Sequence, residues 1–568
     1  MIEIRMKNWT WGKIFLLFII PLFFYIFLLP VMPLVEPDEA RYSDISSLMN
    51  RTGDYITPHL NHVVYLEKPP LCYWATALLF KIFGENEFSS RLFAALCTWG
   101  SIFLVYRMGT FFHNEKTGLY SAGVLSTFLY YSILGKINIL DMPLTFFVCL
   151  STWGGYRYFA GDCQRKGWVY LLYVSSALAF LTKGLIGIVF PFAIVILWLF
   201  ISRRWRDGSK IFSPVGIVLF LLISSPWVIL VQKANKDFLW FFFIQEHFLR
   251  YTTKLHHRSH TILLYVPVVI LGTLPWSAFL WKALKEGTNK RPPFFEATEK
   301  HFLLIWIFFI FIFFSVSSSK LVPYIAPVFL PIAVILGHLF RLYEDRSVIL
   351  KKAVGGRILY QLPIILQSLL SITLLLLPPF LKNMKFGEAV VIMPSGKWWG
   401  LIILPILFQT MIIFLPDLVK RVYQRGWFLT VYLLSAFFLG SFVFPVADFL
   451  TPYKSGYPIA QAINALLPPN RELFQFRVSL YGIDYYNKIR TPLVDYSGEL
   501  EFGIKQLPFD EKSRYFLSPE AFFSLCKQKG DIYCVTRYKK NVEALKGKDS
   551  TLEILWDNGE FYLLRLRG

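Results

Sequence analysis

About thirteen apolar runs follow one another along this chain, each near the roughly 20 residues needed to cross the hydrocarbon of a bilayer. They fall at about 14–34, 89–109, 117–135, 139–160, 167–182, 184–202, 211–231, 261–281, 301–317, 321–340, 357–380, 399–416 and 427–447. In lipid every backbone N–H and C=O must be satisfied within the segment, so runs of this length imply helices. With 55% hydrophobic residues, 17% charged residues and a mean hydropathy of +0.49, a polytopic α-helical membrane protein is expected. One further run, Leu71 to Phe83, is apolar but too short to span, and behind Pro69-Pro70 it predicts an interfacial or re-entrant helix.

The formal net charge of +21 does not indicate a nucleic-acid binder, because the excess sits in short loops between apolar runs rather than on a basic stripe interleaved with aromatics. Gln164-Arg165-Lys166, Arg203-Arg204-Trp205-Arg206, residues 282–300 and 341–352 and Lys420-Arg421 share the side of the N-terminus, which the positive-inside rule makes cytoplasmic. The outer side then holds the first loop (about 35–88), the hairpins Lys136-Ile137-Asn138 and Thr182-Lys183-Gly184, the loop 232–260, the turn 317–320, the loop around Lys385 and the tail. The N-terminal run has a charged start and no small-residue cleavage site after it, so it reads as a retained first helix. After Phe449 apolar spans give way to short strand-like runs such as Glu553–Trp556 and Tyr562–Leu566 between helical patterns. The expected division is a membrane domain over 1–448 and an outward-facing soluble α/β domain over 449–568. The six cysteines form no framework; only Cys526 and Cys534 fall together, either as two buried thiols or as a disulfide, and their spacing is no zinc pattern.

Chemistry concentrates in Glu36-Pro37-Asp38-Glu39-Ala40-Arg41-Tyr42, the first polar stretch after the first span, and in its echo Glu67-Lys68-Pro69-Pro70. Pro37 suits a helix start, and Asp38 and Glu39 then occupy the first turn, where the macrodipole favours carboxylates. That helix is expected to run to about Asn50, stopped by Gly53, with Asp38, Arg41 and Tyr42 on one side. Other ionisable residues also gather at outer span ends: Asp141, Lys183, Glu246, His247, Arg250, Arg258 and Lys320. Cations on the outer side run against the positive-inside tendency and suit a lipid phosphate, with Arg offering bidentate geometry and Lys a point charge. Each alone reads equally as a snorkelling anchor, so the inference rests on their number and shared side. His247 with His256, His257, His260 and Glu67 raises a zinc site, although the spacing matches no closed site; hydrogen-bonded loop histidines are the alternative.

These motifs resemble the C-type membrane glycosyltransferases, and within them the 4-amino-4-deoxy-L-arabinose transferases that modify lipid A, alongside the dolichyl-phosphate-mannose-protein mannosyltransferase-like enzymes. The resemblance extends in order through Gly53-Asp54-Tyr55-Ile56-Thr57-Pro58, Asp141-Met142-Pro143, Thr182-Lys183-Gly184, Glu246-His247 with Arg250, and Ser318-Ser319-Lys320-Leu321 with Pro323-Tyr324 and Pro327. It implies an undecaprenyl-phosphate-linked sugar donor, a lipid A acceptor, no nucleotide cofactor and chemistry at the periplasmic face of the bacterial inner membrane. It also assigns roles. Asp38 is the catalytic carboxylate, with Asp141 at the second acidic position. Lys68 holds the donor phosphate, and Tyr65, Lys320 and Tyr324 line the donor cavity. From their own place among the outer charges, Glu39, Arg41, Lys183, Arg250 and Arg258 are expected to face substrate as well. Glu67 and His247 are the implied ligands if a divalent metal, zinc or magnesium, is bound. Val322 interrupts the family's Lys-Leu-Pro run, which shifts the register of Tyr324.

Residue chemistry supports a transferase independently. Glycosyl transfer from a polyprenyl phosphate needs one group to orient or deprotonate the acceptor and cations to receive the charge of the departing phosphate. Transfer of another sugar, or onto protein, uses the same parts. A transporter is disfavoured because the chain has no internal repeat and no ionisable residue placed near mid-bilayer depth. A scaffold acting through its tail leaves the outer charges unexplained.

Overall fold

The computed structural model describes residues 19–249, 261–283, 297–345, 451–469, 471–546 and 551–567, with isolated helical and strand positions between 365 and 450. The spans expected at 357–380 and 399–416, most of that at 427–447, and Arg250, Arg258, His256, His257 and His260 lie outside the described residues.

Capping chemistry sets where helices begin and end. The first-loop helix follows α1 (Ile20–Phe27) as α2 (Asp38–Thr52), and Gly53 closes it in the left-handed conformation at φ +75°, its N–H on the Met49 carbonyl. A two-residue ribbon, β1 (His59–Leu60) with β2 (Val63–Val64), leads to the short apolar helix α3 (Leu71–Phe83). The long α4 (Glu87–Phe112) starts at a capping box in which Asn86 Oδ1 accepts from the Ser89 N–H (3.0 Å) and Ser89 Oγ accepts from the Asn86 N–H (3.3 Å). Then come α5 (Glu115–Ser126), α6 (Leu129–Leu134), α7 (Asp141–Ala160), α8 (Gly167–Lys183), α9 (Ile186–Ile201) and α10 (Pro214–Ala234). A π-helical turn at Trp240–Leu249, α11 (Tyr265–Gly272), α12 (Ala297–Val316) and α13 (Phe329–Asp345) complete the described bundle.

Among the described residues four helical stretches are long and apolar enough to cross a membrane alone: Glu87–Phe112, Pro214–Ala234, Thr298–Val316 and Val322–Leu342. Two expected spans differ for local reasons. The run at 117–135 breaks between α5 and α6, where Thr127 Oγ1 turns back onto the Gly123 carbonyl and the Leu129 N–H goes to the Leu274 carbonyl of another segment. The run at 261–281 bends by 108° between Tyr265–Gly272 and Trp276–Ala283, around Pro275. The interior helices meet through small residues that let backbones approach. Gly118 of α5 lies so close to α4 that a Cβ there would sit 2.2 Å from Thr110 Oγ1, and Ser151 of α7 donates to the Leu172 carbonyl of α8 at 2.7 Å.

The C-terminal part builds a six-stranded sheet in the order β7-β6-β5-β8-β10-β9, where β3 (Lys385–Phe386) and β4 (Ala389–Val390) are a separate ribbon. Its strands are β5 (Leu473–Phe476), β6 (Leu493–Val494), β7 (Phe516–Leu517), β8 (Asp531–Arg537), β9 (Thr551–Asp557) and β10 (Phe561–Arg567). The first three pairings are parallel and the last two antiparallel, and α14 (Tyr457–Leu466), α15 (Tyr481–Asn487), α16 (Glu501–Gln506), α17 (Phe509–Tyr515), α18 (Pro519–Lys529) and α19 (Lys539–Lys546) accompany them. Cys526 and Cys534 are both free and buried.

This sheet unit and the first loop share one core: Leu34, Ala40, Ile45, Tyr65 and Tyr73 pack with Tyr481, Tyr485, Leu493, Leu500 and Ile504. Polar clamps reinforce it, including Asn61 to Asp484 (3.2 Å), Tyr486 to Glu87 (2.8 Å) and Arg490 to Asp44 (3.2 Å). Glu36 is a further clasp. Its Oε1 accepts the Gly482 N–H at 2.6 Å, and the side chains missing from Gly456 and Gly482 would have their Cβ atoms 2.9 and 2.7 Å from that oxygen.

Burial pushes the Glu36 carboxyl from its ordinary value of 4.5 up to about 8, against the lowering pull of the Gly482 and Tyr481 amides. A carboxyl raised on folding is better protonated in the folded state, so its contribution to stability is full below about 4.5 and is lost as pH rises towards about 8. Asp484, also raised to about 8, acts in the same sense, so the comparison must be with a variant. The melting temperature of Glu36→Gln is expected to fall less steeply between pH 5 and about 8 than that of the parent chain; equal slopes would exclude Glu36 as the titrating clasp.

Candidate active site

Two walls of charge face one another where the first loop meets the ends of α7, α8 and α9. On the first wall Arg41 bridges to Asp38 and, from the C-terminal part, to Glu499; its guanidinium lies 5.1 Å from the Tyr42 ring and 5.6 Å from the Tyr65 ring. Tyr65 OH donates to Glu67 Oε2 at 3.2 Å. Lys68 Nζ then lies 3.5 Å from that same oxygen, 3.0 Å from the Glu67 carbonyl and 3.4 Å from Glu246 Oε2. A continuous polar line therefore runs from Asp38 through Arg41, Tyr65 and Glu67 to Lys68 and Glu246.

The second wall is apolar with one ion pair set into it. Asp141, the first residue of α7, accepts from Lys183 Nζ at 2.6 Å, Lys183 being the last residue of α8. The Lys183 ammonium sits 4.6 Å from the centre of the Tyr324 ring, inside cation–π range. Asp141, Lys183 and Tyr324 line a pocket whose remaining walls include Val148, Ile186, Phe190, Phe314 and Pro327. A pocket of this composition suits an apolar chain carrying a charged head.

Tyr42 locates the meeting of the two walls. Burial raises its phenol far above the ordinary range, Asp38, Asp141 and Glu67 add to the rise, and Arg41 opposes it, so three carboxylates from different segments act on one hydroxyl.

Several residues grouped by the sequence take other places. Glu39 is 1% exposed and fully engaged: both oxygens receive Arg91 at 2.7 Å, and the Asn138 and Val35 N–H groups add 2.7 and 3.0 Å bonds. In this arrangement Glu39 is an internal anchor of α2 rather than a side chain turned to the site. The Lys320 ammonium donates to the Ser317 carbonyl at 2.6 Å, closing its own turn, while the backbone beside it is fixed by Tyr265 OH on the Leu321 carbonyl (3.2 Å).

His247 is likewise committed. Its Nδ1–H donates to the Phe242 carbonyl at 2.6 Å and its Nε2 accepts the Leu185 N–H at 3.2 Å, so neither nitrogen offers a lone pair to a cation. Burial lowers its pKa, against the Phe242 carbonyl and with Lys68 adding to the fall, in keeping with a neutral ring. Glu67 already takes Tyr65 and Lys68, and among the described residues no three His, Cys, Asp or Glu side chains come together. This donor set does not fit a divalent metal held by Glu67 and His247.

Gly184 makes the His247 position possible. At φ +84° it adopts a conformation that L side chains avoid, and a Cβ there would lie 2.1 Å from His247 Nε2. Gly184→Ala is expected to cost more than about 1 kcal/mol and to expel the ring, lowering transfer together with thermal stability. A variant matching the parent in both would remove His247 from the support of the Lys183 wall.

Glu246 and Glu499 enter the site although only one was marked. Glu246 stands out locally as a carboxylate in an aromatic run, buried at 6% exposure. Glu499 has no local signal, because its partner is 458 positions earlier in the chain (499 − 41).

The helical bundle, with its charged site at one end, is that of a polytopic C-type membrane glycosyltransferase. The structure is similar over 98% of both chains to ArnT from Cupriavidus metallidurans bound to undecaprenyl phosphate, at 25% identity and a TM-score of 0.79, and to the same protein in its apo state at 0.78. Residues 67–230 match the dolichyl-phosphate-mannose-protein mannosyltransferase family model. The undecaprenyl phosphate-alpha-4-amino-4-deoxy-L-arabinose arabinosyl transferase of Pseudomonas aeruginosa is 32% identical over 402 residues, covering 69% of this chain and 70% of that one. The corresponding transferase 1 of Proteus mirabilis is 33% identical over 340 residues, 59% of this chain and 60% of its own. The chain belongs to this arabinosyl transferase family.

Proposed function

We propose that the chain transfers 4-amino-4-deoxy-L-arabinose from undecaprenyl phosphate to lipid A at the periplasmic face of the inner membrane. The observation that carries this reading is a half-exposed carboxylate, Asp38, paired with buried Arg41 and linked through Tyr65 and Glu67 to the largely covered Lys68, near an amphipathic pocket headed by Lys183 and Tyr324. An undecaprenyl chain suits the apolar lining, and its phosphate suits Lys68 and Lys183, with Arg41 at the sugar end. No nucleotide is needed, because the leaving group is the lipid phosphate itself.

In the reaction the anomeric C–O bond to the donor phosphate breaks and its electron pair stays on the phosphate oxygen, where Lys68 and Lys183 offset the charge. A new C–O bond forms from the acceptor. A lipid A phosphate arrives ionised, so Asp38 orients it through Arg41 and removes no proton; a hydroxyl acceptor would pass its proton to Asp38.

The positions of the helix ends support an outward orientation. Asp141 opens α7 and Lys183 closes α8, whereas Arg157, Arg165 and Lys166 lie at the opposite ends of the same helices and Arg203 follows the far end of α9. At 1.5 Å per residue α7 separates the two sets by roughly 30 Å, a bilayer core. The positive-inside rule favours a cytoplasmic place for the basic ends and so an outward-facing site; the same reading takes the residues after Phe449 as a periplasmic α/β domain and the whole chain as having about thirteen spans.

The test is the lipid A mass of cells supplied with the donor but lacking their own transferase. Expression of this chain should add an aminopentose, and Lys68→Gln should abolish the addition. Unmodified lipid A in cells holding folded protein would overturn the reading; a hexose or uronic acid increment would replace the sugar.

A further inference from the structure

Arg41 is held by a residue that does not belong to the membrane bundle. Its side chain is 4% exposed, stacked against Tyr42 and Tyr65, with its charge shared between Asp38 three residues before it and Glu499 of the C-terminal part. Asp38 is half exposed, so it cannot by itself fix a buried guanidinium.

The turn Gly498–Leu500 that carries Glu499 is pinned on three sides. Leu500 is 1% exposed within the core shared with the first loop. Phe502 stacks on Phe241 of the π-helical turn, ring centres 3.8 Å apart, five residues before Glu246 of the Glu246-His247 pair. Gly503 lies so close to the ribbon before Lys68 that a Cβ would meet the Val64 carbonyl at 2.5 Å. One short segment therefore touches the Asp38 helix, the Lys68 ribbon and the Glu246 turn.

We infer that Glu499 is a positioning residue for the transfer reaction: by engaging the other side of the Arg41 guanidinium, it limits Asp38 to a bond through one oxygen and sets the Asp38–Arg41 pair in the orientation that meets the acceptor. This rests on the transferase reading above. A guanidinium with a single carboxylate partner closes into a two-bond pair, which would occupy both Asp38 oxygens. The second carboxylate divides that demand. Glu499 acts through Arg41, so its loss is felt in turnover before it is felt in donor affinity.

The experiment uses the full chain in detergent or nanodiscs, with kcat and KM for transfer, direct binding of undecaprenyl phosphate, and melting temperature. Glu499→Gln should lower kcat on the order of 10- to 100-fold, with undecaprenyl phosphate affinity within about twofold of the parent. Glu499→Asp, which keeps the charge on a shorter stem, should recover part of that loss and serves as the measurement should Glu499→Gln not fold. Lys505→Ala, an exposed change on the same segment, is the neutral control. In an Arg41→Lys background Glu499→Gln should cost far less than it does alone, because the shared partner is already altered.

Parental kcat in both Glu499 variants, or an equal loss with and without Arg41→Lys, overturns the inference. Asp38→Asn separates the two readings. If it retains the parental rate, the transferase assignment of this site fails; if it is inactive while the Glu499 variants are unimpaired, only the role of Glu499 fails.

Discussion

Asp38→Asn should lower kcat for aminoarabinose transfer by about 10² to 10⁴ while leaving the melting temperature of the protein nearly unchanged. The two halves of that expectation have separate origins. Asp38 sits in the first turn of α2 with its side chain 50% exposed, and Asn preserves its shape, so the fold loses one partly solvated ion pair worth about 0–1 kcal/mol. The reaction loses more. The carboxylate charge is what balances Arg41 beside the acceptor, and an amide neither attracts the guanidinium nor accepts a proton from a hydroxyl. Turnover assays on purified protein with undecaprenyl-phosphate-linked aminoarabinose, beside calorimetric melting, measure both. A rate within twofold of the parent, or a loss of rate that tracks a loss of folded protein, would remove Asp38 from the chemistry.

The contrast between Asp38 and its neighbour Glu39 shows what can be read from sequence and what cannot. Both were visible as carboxylates in the first turn of one helix, and the helix itself, its Gly53 stop and the short apolar helix behind Pro69-Pro70 follow from local rules that act within a few residues. Charge at span ends on one side also foreshadowed that Asp38, Glu67 and Asp141 come into electrostatic range of one another at Tyr42. Which carboxylate faces the cavity depends on Arg91, 52 residues further on inside a run that reads as membrane span, and no periodicity announces that partner. His247 looked like a ligand because imidazoles bind metals; its two bonds to Phe242 and Leu185 arise only once the π-helical turn packs on Gly184. The unbroken run at 117–135 gave no sign of its break, since the group that replaces its helical bond is the carbonyl of Leu274, far along the chain. Glu499 is the extreme case, a surface-like acid in a polar tail that meets Arg41 only through tertiary docking.

Arg91→Met should be the most destabilising single change in the region, costing about 3–5 kcal/mol. Arg91 donates to Glu39 Oε1 and Oε2 at 2.7 Å each, to the carbonyls of Leu29 and Met32 at 2.6 and 2.5 Å, and to that of Pro33 at 3.1 Å. The two side chains are 2% and 1% exposed, so removing the cation strands a carboxylate in the protein with only the Val35 and Asn138 amides to face it. Lysine should not rescue, because one ammonium with three donors cannot satisfy five acceptors arranged for a planar fork. Removing the charge on both sides should help instead: Arg91→Met with Glu39→Gln leaves no buried ion and should regain a large part of the loss. The functional consequence differs from that of Asp38→Asn. The peptide leaving the first span and the start of α2 are both tied to Arg91, so its loss should appear as less folded protein and a lower melting temperature, with near-parental kcat in whatever fraction folds. Thermal unfolding of the four proteins, the parent, both single variants and the double, gives the coupling energy directly. A double variant as unstable as the sum of its singles would mean that Arg91 holds the carbonyls of the first span and that its pairing with Glu39 contributes little.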